Sequence, residues 1–228
     1  MQSDEGRDKY LEELASGKYT HVIGADEVGY GAWAGDLLVC AVAVPIKWAP
    51  ILGLNDSKKL RPAKREELYY FLRERIPHEV ATATPQEIDL EGVGSALKSC
   101  FVRVVTKLKA KYPGALVVLD GEVRIPDVEY VHFPRADGEV PAVMAASVIG
   151  KVIRDKSMVE LAKKYPGYGF GKHAGYGSAD HQEALDRLGP TPAHRASYEP
   201  IKKLKAGTFD NEPGISLDQD HFTTVSTS

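Results

Sequence analysis

Four acids in three short blocks have the residue types and the placement for chemistry. Asp26 and Glu27 sit in HVIGADEVGYGAWAGD, Asp120 ends the apolar run ALVVLD, and Asp155 closes AASVIGKVIRD. Each stands at or near the edge of a segment that reads as core. A carboxylate there carries a desolvation penalty unless something pairs it. The few basic residues nearby cannot pair all four, and a divalent metal is the economical partner. All-oxygen ligands suit Mg²⁺ or Mn²⁺, ions that usually serve phosphate chemistry.

The elements that must position these acids can be read from the pattern. Strands are expected at 19–28 and 36–45, joined by a turn rich in glycine (Gly29, Gly31, Gly35). Both faces of the second strand are apolar, as in a central strand covered on two sides. Further strands are expected at 80–84, 115–120 and about 128–133. Helices are expected at 7–16, at 62–75 with Pro62 near its start, at 94–111, at 140–164 and at 178–188. Helices between strands and again at the end make the class α/β. The stretch after Gly207 is polar and aperiodic and reads as a disordered tail. The expected division is an N-terminal extension at 1–18, a catalytic domain at 19–206 and a tail at 207–228.

Strand alternation places Asp26 and Glu27 on opposite faces, so both can serve one site only if the chain bends at Glu27. Asp120 stands at the carboxyl end of a buried strand, the usual place for a site in an α/β sheet, although Asp-Gly is also a common turn. Asp155 shares a helix face with Lys151 and Ser147, and an intrahelical ion pair is its plain alternative.

Composition narrows the class. The 228 residues are 43% apolar and 27% charged, the balance of a globular protein, and the net charge of −3 does not advertise a nucleic-acid partner. Basic residues nonetheless cluster at Lys58, Lys59, Arg61, Lys64 and Arg65, at Lys107, Lys109 and Lys111, and at Lys202, Lys203 and Lys205. Cys40 and Cys100 lie in apolar stretches without a CxxC and read as buried free thiols in a reducing compartment. No run approaches the roughly 20 apolar residues of a membrane span, and the polar start is unlike a signal peptide, so a cytoplasmic protein is expected.

GADEVGYG, NDSKKL, LDGE, AASVIGKVIRD, YPGYGFGKHAGYGS and GPTPAHR, in this order and at these intervals, resemble type 2 ribonuclease H (ribonuclease HII) from about residue 19 to 202. Six blocks in order are far more specific than any one of them. The resemblance implies a ribonuclease H-like fold, a central mixed sheet flanked by helices with a helical C-terminal part. It implies an endoribonuclease that hydrolyses the RNA strand of RNA/DNA hybrids and incises 5′ of ribonucleotides embedded in duplex DNA. It also implies two divalent ions, Mg²⁺ or Mn²⁺, on Asp26, Glu27, Asp120 and Asp155, and products with 5′-phosphate and 3′-hydroxyl ends. By the same resemblance Gly29, Tyr30 and Gly31 approach the ribose and read its 2′-OH, the group that separates RNA from DNA. Tyr176 packs at the RNA–DNA junction, and Ser57, Lys58 and Lys59 contact phosphate. A monomer is expected, with no identifiable protein partner; HFTTVSTS is too weak for a sliding-clamp peptide.

Two positions depart from the family pattern. Tyr30 stands where Arg or Lys is usual, which removes one cation and predicts weaker junction selectivity. Asp36 replaces a common proline and reads as exposed at a strand start. His173, His181, His194 and Arg195 receive no chemistry, and no His/Cys cluster has zinc spacing. Two rival readings are a nuclease of the same fold acting on DNA alone and a catalytically silent nucleic-acid-binding module.

Overall fold

The computed structural model describes residues 2–48, 61–121 and 123–209. Five strands form one sheet in the order β3-β2-β1-β4-β5, with β1 at His21–Val28, β2 at Leu37–Pro45, β3 at His78–Ala83, β4 at Ala115–Asp120 and β5 at Val131–Phe133. β1 pairs antiparallel with β2 and β2 with β3, while β1–β4 and β4–β5 are parallel. The sheet is therefore mixed, and β2 is buried on both faces, as its doubly apolar pattern predicts.

Helices α1 (Gln2–Ala15), α2 (Pro62–Arg75), α3 (Pro85–Glu91), α4 (Val93–Lys111), α5 (Pro141–Lys164), α6 (Phe170–His173), α7 (Ala179–Leu188) and α8 (Glu199–Phe209) complete the described chain. The helices expected at 62–75, 94–111, 140–164 and 178–188 are present within a residue of those bounds. α3, α6 and α8 are additions; Thr84 and Glu87 form a capping box that starts α3, a local signal too short to show in apolar periodicity. α1 starts five residues earlier than expected. The strand expected at 128–133 is shortened to three residues. The tail lies, from residue 210, outside the described residues.

Two apolar layers sandwich the sheet. One face of the strands, with Val22, Leu38, Cys40, Val42 and Val118, packs against α5 and against Tyr10 of α1 and Leu72 of α2. The other, with Ile23, Val39, Ala41, Val117 and Leu119, packs against Phe101, Val105 and Leu108 of α4. Cys40 and Cys100 are free, buried thiols on opposite faces. A third cluster joins the C-terminal helices around Tyr168, Phe170, Leu185 and Ile201. Among the described residues no helix is long and apolar enough to cross a membrane.

α5 lies unusually close to β1. A Cβ at Gly24 would stand 2.3 Å from the backbone of Ala142 and Val143, so only glycine admits the helix at this point. That approach carries Ser147 of α5 to the carboxyl end of β1, where Asp26 lies.

Candidate functional site

The carboxyl ends of β1 and β4 open into a cavity of about 380 Å³ lined by Asp26, Glu27, Val28, Gly29, Tyr30, Gly31, Arg65, Asp120, Ser147, Lys151 and Tyr176. The parallel ladder between β1 and β4 stops at Ala25 and Leu119. Beyond it the β1–β4 ladder does not continue, and there the two strands carry Asp26, Glu27 and Asp120. The β1–β2 ladder continues unbroken to Val28 opposite Leu38, so the bend expected at Glu27 is absent. Both acids line the cavity without it, because β1 is open on its β4 side there.

Asp26 is almost fully buried, and its carboxyl is pushed up to about 7. Burial is the largest cause, followed by the charge of Glu27 and then, more weakly, Asp120 and Asp137; a hydrogen bond with Ser147 opposes them. Asp120 is also raised, by burial and by a hydrogen bond and charge repulsion from Asp137, against the backbone N–H groups of Ala136 and Arg135. The Ala136 N–H donates to Asp120 Oδ1 at 3.3 Å.

Asp137 is the acid that sequence reasoning missed. It follows β5 in a 3₁₀ turn, Ala136–Gly138, whose preceding residue Arg135 has φ 66°. A non-glycine residue in the left-handed region costs about 1 kcal/mol and collects at functional sites. Here it turns the chain so that the Ala136 amide meets Asp120 while Asp137, only 4% exposed, lies against it. The available signal was an acid in PRADGEV between a strand and the long helix, which resembles an ordinary Asp-Gly turn.

Asp155 is not brought to this cavity. Ser147, Lys151 and Asp155 form one stripe on α5, but Asp155 lies eight residues beyond Ser147, about 12 Å along the helix. Lys151 stands between them and pairs with Asp155 at 2.6 Å. Asp155 instead lines a neighbouring groove with Pro62, Arg65, Val152 and Lys156. The intrahelical pair named above as the alternative is what the fold contains.

The glycine-rich loop is pinned from beneath by two buried arginines. Arg154 donates to the carbonyls of Asp36 (3.1 Å), Ala174 (2.9 Å) and Ala34 (3.3 Å). Arg195 donates to Gly35 O at 3.1 and 3.0 Å and to Tyr30 O at 2.8 Å, where the Tyr198 hydroxyl also donates at 2.6 Å. Gly29, at φ 88°, has no room for a Cβ, which would meet the Arg154 guanidinium at 2.1 Å. The backbone of Tyr30 is thus fixed while its side chain is exposed at the cavity mouth. Asp36 is half-buried, not exposed as its sequence position suggested; burial raises its carboxyl although Arg195 and Arg154 pull it down.

Tyr176 reaches the same cavity from the turn after α6, and the Arg154 guanidinium lies 5.5 Å from its ring centre. Ser57, Lys58 and Lys59 lie outside the described residues. The site therefore unites Asp26, Glu27, Gly29, Tyr30, Gly31, Asp120 and Tyr176, adds Asp137, and leaves Asp155 out.

Among the described residues no three His, Cys, Asp or Glu side chains stand in ligating geometry. The donor set nonetheless fits a divalent ion. It is all oxygen, and the Asp26 carboxyl, raised first by burial and then by the charge of Glu27, is one that a cation would relieve.

Comparison with known proteins agrees with this fold. The family model for Ribonuclease HII matches residues 23–201. The Ribonuclease HII of Halorhodospira halophila is 39% identical over 189 residues, covering 82% of this chain and 95% of that protein. The RNase HII of Archaeoglobus fulgidus, solved in its complex with PCNA, is 27% identical with a TM-score of 0.68, covering 78% of this chain and 95% of that one. The Bst-RNase HIII structure in complex with Mn²⁺ is 20% identical with a TM-score of 0.66 over 85% of this chain and 72% of that one, a likeness of fold alone. The complex of the Archaeoglobus protein with PCNA overturns the expectation that no protein partner is identifiable. A protein interface demands no periodicity or catalytic spacing that a sequence would display, and HFTTVSTS lies outside the described residues. Matched over most of its length by family and by relative, and carrying its acids at the carboxyl ends of β1 and β4, the chain belongs to the ribonuclease HII family.

Proposed function

We propose that this protein is a metal-dependent endoribonuclease that cuts the RNA strand of RNA/DNA hybrids and incises 5′ of ribonucleotides embedded in duplex DNA. The observation that carries it is the crowding of Asp26, Glu27 and Asp120 around one open cavity, with Asp137 against Asp120 and the pinned glycine loop as its rim. Asp26, Glu27, Asp120 and Asp137 would hold the ions, and Asp155 would not. Two divalent ions, Mg²⁺ or Mn²⁺, supply activation of water and neutralisation of charge at the leaving 3′ oxygen when bound. Ser147 orients Asp26, and the amides of Arg135 and Ala136 orient Asp120. Held by Arg154 and Arg195, the backbone of Gly29–Gly31 reads the 2′-OH, and the exposed Tyr176 ring packs on the junction nucleotide. Lys151 and Arg65 on the cavity wall, with Ser57, Lys58 and Lys59, meet the phosphates. The products carry 5′-phosphate and 3′-hydroxyl ends. The clamp complex of the Archaeoglobus relative makes a sliding clamp the partner to test for this chain.

The test is cleavage, with Mg²⁺ or Mn²⁺, of three labelled duplexes of one sequence: an RNA/DNA hybrid, DNA with one ribonucleotide, and all DNA. Cutting of a ribose-containing duplex is expected. Asp137→Asn should lower the rate by about a hundredfold or more, beyond the usual loss for an outer-shell group, while Asp155→Asn should stay within about threefold of wild type. Cutting of the all-DNA duplex, or none with either metal, would overturn the proposal. Loss of activity in Asp155→Asn with Asp137→Asn intact would overturn the ligand assignment.

A further inference from the structure

Three histidines without an assigned role lie directly behind Tyr176. His181 and His194 are buried and His173 is half-buried. Their rings pack together with Trp33, Tyr168 and Phe170; His173 and His181 stack at 4.5 Å and 14°. We infer that His194 and His181 form a directed hydrogen-bond relay ending on the Tyr176 carbonyl, with His173 stacked on His181, and that His181 is a positioning residue holding Tyr176 and the glycine loop for the ribose-containing strand. The inference rests on the functional reading above and adds residues that reading does not use.

Backbone partners set the direction from both ends. The Thr191 N–H donates to His194 Nδ1 at 2.9 Å, so that nitrogen carries no proton and the proton of a neutral ring sits on Nε2. His194 Nε2 faces His181 Nε2 at 3.1 Å. At the other end His181 Nδ1 lies 3.0 Å from the Tyr176 carbonyl, which can only accept. His181 must then donate through Nδ1 and accept through Nε2, the role that His194 requires of it. His173 obeys the same logic: the Gly175 N–H donates to its Nδ1 at 3.2 Å, and its Nε2 donates to Tyr168 O at 2.8 Å. All six ring nitrogens are thereby given one role each, with every ring neutral.

The relay ends on the turn that meets the substrate cavity. Gly175 O accepts from Trp33 N at 2.8 Å and Ala34 N at 3.3 Å, so the turn is docked on the glycine loop. A Cβ at Gly175 would lie 2.3 Å from Ala34 O, which leaves no slack in that contact. The Tyr176 ring is 40% exposed, with the Arg154 guanidinium 5.5 Å from its centre. The Tyr176 carbonyl accepts from the Ser178 N–H at 2.9 Å and from His181 Nδ1, the side-chain hold on that group among the described residues.

The test compares His181→Asn, His181→Gln and His181→Phe on the duplex with one ribonucleotide. The Asn amide can replace the Nδ1 donor toward Tyr176; Gln reaches only toward the Nε2 position, and Phe replaces neither. Loss of one buried hydrogen bond should raise KM about tenfold in the Gln and Phe variants with kcat within about threefold, and Asn should stay within about threefold in both. Long-range ¹H–¹⁵N spectra of the wild type should show His181 protonated at Nδ1 and His173 and His194 at Nε2. Wild-type KM in Gln and Phe, an Asn variant as impaired as Phe, a fall in kcat at unchanged KM, or the opposite tautomers would each overturn the inference. A wild type that cuts no ribose-containing duplex would instead sink the functional reading, with the tautomers still deciding the relay.

Discussion

Replacing Asp26 by Asn should stabilise the metal-free protein while weakening its response to metal. The carboxyl of Asp26 is raised from 3.8 to about 7 in the fold. An acid raised on folding holds its proton more tightly in the native state, so stability is full below pH 3.8 and falls as pH rises toward 7. Linkage over that interval gives a penalty of roughly 2 kcal/mol at pH 5 and roughly 4 kcal/mol at pH 8. Asn keeps the shape and can still accept a hydrogen bond from Ser147, but carries no charge to bury. With about 2–4 °C per kcal/mol for a chain of this size, the Asn variant should melt up to about 8–16 °C higher than wild type at pH 8, and by about half that margin at pH 5. Relaxation around the acids makes these upper values. The assay is thermal unfolding in chelator across pH 5–8, repeated with Mg²⁺ or Mn²⁺. Metal should raise the wild-type melting temperature, since it binds the folded state, and should raise that of the variant much less. Equal melting of the two proteins at pH 8 without metal, or a margin that shrinks as pH rises, would refute the reasoning that Asp26 is held ionisable against its surroundings for a cation.

Two other perturbations have clear signs. Tyr30→Arg should raise the rate of incision at a single ribonucleotide relative to the RNA/DNA hybrid, because the backbone at residue 30 is already held by Arg195 and Tyr198 and only the cation is missing; an unchanged ratio of the two rates would show that the side chain at 30 does not read the junction. Gly24→Ala should destabilise by about 3 kcal/mol or more and lower the melting temperature by about 6–12 °C, since its Cβ meets the backbone of α5 rather than a side chain that can move; a variant melting like wild type would show that α5 can shift without penalty.

Much of the scaffold is legible along the chain. The apolar alternation of β2, the run Val117–Leu119, and the periodicity of α4 and α5 are local patterns, and they return as the buried core. Asp26, Glu27 and Asp120 are visible because each interrupts or ends an apolar segment, a signal that survives without knowing what lies opposite. The rest is of another kind. Asp155 and Asp137 are both acids near apolar sequence, and choosing between them requires the pitch of α5 and the left-handed turn at Arg135. One sends Asp155 about 12 Å from Ser147 to a lysine partner; the other folds Asp137 back onto Asp120. Arg154 and Arg195 reach carbonyls 118–165 residues away in sequence, which no spacing can reveal. The histidine relay likewise depends on ring nitrogens meeting particular amides and carbonyls. The layers, and the standing of Asp26, Glu27 and Asp120 at segment ends, can be read along the chain, because burial and alternation are properties of a segment. That Asp137 lies against Asp120, and what holds the glycine loop and Tyr176, emerge with the fold, because those are properties of distances between segments.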